Sequence, residues 1–69
     1  MQPSPLLREV ETFLAETGLG PHRFGILAIK NGRLVERLRD GRRVWPETEM
    51  AIRAYIRSER SLRARVAAE

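Results

Sequence analysis

The sequence predicts an all-α domain of four or five helices with a helix-turn-helix at its centre. Three observations carry this. Apolar residues recur at helical spacing in four separate stretches. Gly and Pro fall between those stretches, where helices end and begin. The chain has 69 residues and no cysteine, so neither a disulfide nor a thiolate zinc site stands in for helix packing.

The elements follow in order. Ser4-Pro5 pairs an N-cap with a proline suited to a first helical position, and Leu6, Leu7, Val10, Phe13 and Leu14 share one face, giving a helix over 5–16. Gly18 and Gly20 end it, and Pro21 opens a second helix over 21–30. In that helix Phe24, Leu27 and Ala28 line one stripe, and Gly25 predicts close approach by a neighbour. Asn31-Gly32 is the sharpest turn signal in the chain. It also suits a β-hairpin, but Leu34, Val35 and Leu38 repeat at helical rather than strand spacing. A third helix is therefore expected over 33–40, with Gly41 as its stop. After a loop over 41–46, Pro46-Glu47-Thr48-Glu49 starts a last helix with Thr48 as its cap, and Met50, Ile52, Tyr55 and Ile56 form its apolar side. Beyond Arg57 only Leu62 and Val66 interrupt the charges. The expected division is thus a domain over 1–57 and a helical extension over 58–69, which is frayed, solvated or dimerising.

The composition narrows the function. No apolar run is long enough to span a bilayer, and the start lacks the basic-then-apolar layout of a signal peptide. A cytoplasmic, nucleoid-associated protein is expected. No cofactor and no metal is expected, and an enzyme is the least expected class, since no nucleophile is matched to a base and no metal shell assembles. Lone His22 has no partner for either chemistry.

The formal net charge is +4, and twelve of the thirteen basic residues are Arg. Its distribution is the more telling property. Residues 1–20 carry a net of −2 and residues 46–69 a net of +1, whereas 21–45 hold seven bases against Glu36 and Asp40, a net of +5. On the third helix, a turn of 100° per residue sets Arg33, Glu36, Arg37 and Asp40 opposite Leu34, Val35 and Leu38. A solvated amphipathic face would look the same. The second and third helices, however, open on His22-Arg23 and on Arg33, cations where the macrodipole favours anions. A bound polyanion would reverse that penalty.

Double-stranded DNA is therefore the expected partner. His22, Arg23, Lys30, Arg42 and Arg43 are assigned to phosphates, and Arg33, Glu36, Arg37 and Asn31 to bases. Arg42 and Arg43 equally suit the negative end of the third helix. Trp45 is read as packing beneath the loop, and Tyr55 as core.

From Arg23 to Ile56 the text RFGILAIKNGRLVERLRDGRRVWPETEMAIRAYI resembles a group of short alphaproteobacterial helix-turn-helix proteins, whose relatives run RFG, A-x-N, LV-x-x-LR-x-GR and P-x-T. The resemblance covers about half the chain. It implies a lambda-repressor-like fold and a role in transcriptional or phage-related regulation. The chain departs from those relatives at Gly32-Arg33, where they often carry Asp-Pro, and in a short third helix. A homodimer joined through Leu62 and Val66 is a further expectation. The competing reading is a protein-interaction module docking on the transcription machinery; RNA ranks below both, with no recognised RNA motif beside the basic face.

Overall fold

A computed structural model describes residues 4–68, with side chains to Val66, and every regular element in that span is an α-helix. The expected domain and extension also include Met1–Pro3 and Glu69, which lie outside the described residues.

Helix α1 runs Pro5–Thr17. Ser4 caps it, its Oγ accepting the Leu7 N–H at 3.1 Å, and Gly18 closes it in the left-handed region at φ 75°. Helix α2 runs Pro21–Ile29, one residue short of expectation, because Lys30 turns left-handed at φ 59°. The Lys30 N–H bonds to the Ile26 carbonyl at 2.9 Å and the Asn31 N–H to the Gly25 carbonyl at 3.0 Å, and the positive dihedral that ends α2 sits on a lysine before the Asn-Gly pair. At Gly32 the ring of the exposed His22 lies where a Cβ would be, so a larger residue there would displace that side chain.

Helix α3 is Leu34–Arg39, shorter than the expected 33–40 at both ends, with Arg33 as N-cap, Asp40 as C-cap and Gly41 left-handed beyond it at φ 84°. Helix α4 is a single run, Pro46–Ala68, that passes unbroken through the expected boundary at 57/58. Thr48 is not its cap. Pro46 presets the first helical turn, and the Glu49 N–H already bonds to the Trp45 carbonyl at 2.9 Å, so the helix starts three residues earlier than a Thr48 cap would allow.

Helix α2 packs on α3 and α4, and α1 packs on the same two helices. The core between them holds Leu6, Val10, Phe13 and Leu14 from α1, Phe24 from α2, Leu34, Val35 and Leu38 from α3, and Ile52 and Ile56 from α4. Phe13, Phe24 and Tyr55 meet as a three-ring cluster with centroids 5.6 to 6.2 Å apart in tilted and edge-on pairs. Gly25 is buried where α2 meets the turn to α3, and a Cβ there would overlap the Asn31 carbonyl oxygen and press on Leu34. The close approach expected of it is present.

Three apolar assignments are corrected. Leu27 stands largely in solvent, because the buried stripe of α2 passes through Phe24 and Gly25 instead. Met50 points outward, since Ile52 and Ile56, one turn apart, define the inner side of α4. Trp45, expected beneath the loop, is 81% exposed.

Candidate nucleic-acid interface

Three ion pairs hold α1 to α3 and α4, and they claim specific arginines. Arg39 of α3 donates to Glu11 of α1 through both Nε and Nη2, the closest contact being 2.7 Å. Arg53 of α4 bridges Glu9 of α1 and Glu49 of its own helix, the latter at 2.9 Å. Arg60 reaches Glu16 at 3.2 Å and lies 5.9 Å from the Phe13 ring centroid. All three acids of the negative amino-terminal third are thereby spent on the fold.

The outward side of α3 is different. Leu34, Val35 and Leu38 are buried beneath it, while Arg33, Glu36 and Arg37 face solvent as expected. Together with Arg39, Asp40 and Arg42 they line one shallow depression. Among the described residues neither Arg33 nor Arg37 forms an ion pair, and Arg42 has only a 3.5 Å contact with Asp40 between two side chains that are each at least 70% exposed. The buried side fixes the helix and leaves two guanidinium groups free.

The remaining candidates, Asn31, His22, Lys30, Arg43 and Arg23, do not line this depression. Asn31 is bound locally: its Oδ1 accepts the Arg33 N–H at 3.0 Å, and its carbonyl accepts the Leu34 N–H at 3.2 Å. It therefore caps the turn into α3, and its side-chain amide keeps the donors for outside contact. His22 is at the same turn, its ring over Gly32. Lys30 is exposed at the end of α2. Arg43 lies apart from the depression, in a groove shared with Leu7, Val44 and Arg53. Arg23 is exposed on α2, and its positive charge works against the rise of the Tyr55 phenol.

One expectation about the dipoles changes. Because α3 begins at Leu34, Glu36 falls in its first turn and Arg37 and Arg39 in its last, so its charges follow the macrodipole. Helix α2 keeps the mismatch: like α1 it has no acid in its first turn, but where Ser4 caps α1 with its side chain, the N-cap Gly20 offers α2 no acceptor.

Two groups titrate away from their ordinary values. Burial, reinforced by a 3.2 Å hydrogen bond to Glu59, raises the Tyr55 phenol, with Arg63 and Arg23 opposing. The hydrogen bond to Glu11 raises Arg39 further.

Sequence reasoning missed the engagement of Arg39 and the exposure of Trp45. The first has no local signal, because Glu11 is 28 positions away. The second did have one, since a residue before proline is held out of the helical region and points away from its neighbour, here the half-buried Val44. No family model, curated protein or solved structure matches this chain. No described helix is long and apolar enough to cross a membrane.

Proposed function

We propose that this protein binds double-stranded DNA as a transcriptional regulator, with α2, the turn at Lys30–Arg33 and α3 acting as a helix-turn-helix. The observation that carries the reading is the solvent side of α3, where among the described residues Arg33 and Arg37 stay without a carboxylate while Arg39, farther along the same helix, is paired. A protein whose acids neutralise three arginines and leave these exposed retains cationic groups that a polyanion satisfies. The resemblance of residues 23–56 to lambda-repressor-like regulators points the same way.

In this reading α3 enters the major groove. Arg33 and Arg37 donate in pairs to guanine, Glu36 accepts from a cytosine amino group, and Asn31 donates through its free amide. His22, Arg23, Lys30, Arg42 and Arg43 meet phosphates; a helix of 6 residues is only about 9 Å long, so base contacts are few and phosphates supply most of the affinity. Leu62 and Val66, 52% and 74% exposed on the outer half of α4, continue the line of Tyr55 and Glu59 and are the seam of a homodimer on two half-sites.

Selection of bound duplexes from a random pool tests this. The native protein enriches a defined site, and Arg37→Ala changes the preferred base at one position while Arg23→Ala weakens all sequences alike. An unchanged site for Arg37→Ala would remove α3 from the groove. A second reading, an adaptor docking on the transcription machinery, draws on Ile26 and Leu27, adjacent on α2 and 44% and 48% exposed. It predicts capture of a polymerase subunit or regulator without DNA, with the capture lost in Leu27→Ser.

A further inference from the structure

Trp45 is the most exposed large apolar side chain among the described residues, at 81%. Its position follows from local chemistry rather than from slack packing. Val44 packs against the core and Pro46 starts α4, and the residue between them, for which the following proline ring disfavours the helical region, leaves its indole in solvent. The loop brings Arg42 and Arg43 to the same stretch, both exposed, and among the described residues Arg43 has no ion pair and Arg42 only its solvent-exposed contact with Asp40.

This combination selects its partner by chemistry. An indole offers an apolar face and one N–H donor, and it accepts nothing. Two neighbouring guanidinium groups require anions. The backbone of duplex DNA alternates these features along its length, with an apolar deoxyribose face between phosphates at regular spacing. An acidic peptide would also satisfy the arginines, but its apolar groups follow its own sequence and not a fixed repeat between charges. Arg42 also lines the depression on α3, so the loop is continuous with the surface assigned to the groove.

We propose that Trp45 is a DNA-backbone contact: its ring packs on a deoxyribose, its Nε1–H donates to a phosphate oxygen, and Arg42 and Arg43 hold the neighbouring phosphates. This rests on the duplex-binding reading and adds to it a residue that contributes affinity without sequence preference.

Trp45 is the sole tryptophan, so its fluorescence reports this contact alone. The full chain is titrated with labelled duplex DNA in dilute buffer, following anisotropy of the label together with Trp45 emission and its quenching by acrylamide. The expected result is a blue shift and reduced quenching that saturate with the anisotropy. Trp45→Ala should bind about tenfold more weakly to preferred and unrelated duplexes alike. Trp45→Phe, which keeps a ring but loses the donor, should lose about threefold. Circular dichroism melts should show both variants folded, as expected for an exposed site.

Anisotropy that reports binding while Trp45 emission and quenching stay unchanged would overturn the proposal and leave the duplex reading intact. A loss in Trp45→Ala confined to the preferred sequence would also overturn it, because the indole would then be reading a base. So would tighter binding and stronger quenching with single strands, which would make the indole a stacking platform for unpaired bases. No rise in anisotropy at all would remove the duplex reading, and this proposal with it.

Discussion

The seam between α1 and the rest of the protein and the outer side of α3 are both built from arginine, yet they do opposite things. At the seam, Arg39, Arg53 and Arg60 each reach a glutamate of α1. On the outer side of α3, Arg33 and Arg37 reach none among the described residues, although Arg37 and Arg39 are only two positions apart. A step of two along a helix turns a side chain by about 200°, enough to carry one guanidinium to the seam and leave the other in solvent. Net charge therefore overstates what is available to a ligand. The basic middle of the chain loses Arg39 to the fold, and its free cations are concentrated where α3 and its flanking turns face outward.

Stripping the outer side should have the largest effect. Arg33→Ala combined with Arg37→Ala is expected to lower duplex affinity by about 100-fold or more, since each guanidinium pairing with a base or phosphate is worth about 1–3 kcal/mol. Its melting temperature should not fall, because neither side chain has an ion-pair partner among the described residues. Anisotropy and thermal melts on the same variant check both halves, and a large loss of stability would place these arginines with the structural set.

Moving α3 is the next test. Gly25→Ala forces a Cβ into the Asn31 carbonyl and against Leu34, which should destabilise the domain by about 2 kcal/mol. In a domain of this size that is a fall in melting temperature of roughly 8–16 °C. DNA affinity should fall with it, since Asn31 holds the turn that delivers Arg33.

Breaking the seam should have a smaller effect with the opposite signature. Arg53 serves two carboxylates and is only 35% exposed, so Arg53→Ala should cost about 1 kcal/mol, most visible in low salt, and change DNA affinity little. Urea unfolding with and without added salt measures it. A tenfold loss of DNA binding with unchanged stability would erase the distinction between the two regions.

The smallest effect concerns pH. The folded protein raises the Tyr55 phenol above its ordinary value of 10.0, so the unfolded chain ionises first and stability falls as pH rises past that value. Tyr55→Phe removes a proton-linked group and should flatten this alkaline decline. Unfolding midpoints between neutral pH and pH 11 would show it, and an unaltered decline would mean another group drives it.

Much of this architecture was legible in the amino-acid text. Val10, Phe13 and Leu14, and likewise Leu34, Val35 and Leu38, occupy the core as their spacing requires, and Ser4, Pro5, Gly18 and Gly41 mark helix ends as their backbone chemistry dictates. What failed was the inference that an apolar residue beside a core stripe belongs to it. Leu27, Met50 and Trp45 have the composition of a core but sit outside the arc that α2, α4 and the loop turn inward. The candidate site was legible only as a face. Spacing put Arg33, Glu36 and Arg37 on the solvent side of α3, but the pairing of Arg39 depends on α1 arriving beside it, and nothing within one helical turn of Arg39 encodes that.

The central claim is that the unpaired arginines around α3 exist for a polyanionic duplex, and salt tests it most directly. Binding of the native protein to labelled duplex DNA, measured from 50 to 200 mM salt, should weaken by about 10³-fold if roughly six phosphates are engaged. A flat salt dependence, or no binding at the lowest salt, would contradict the account.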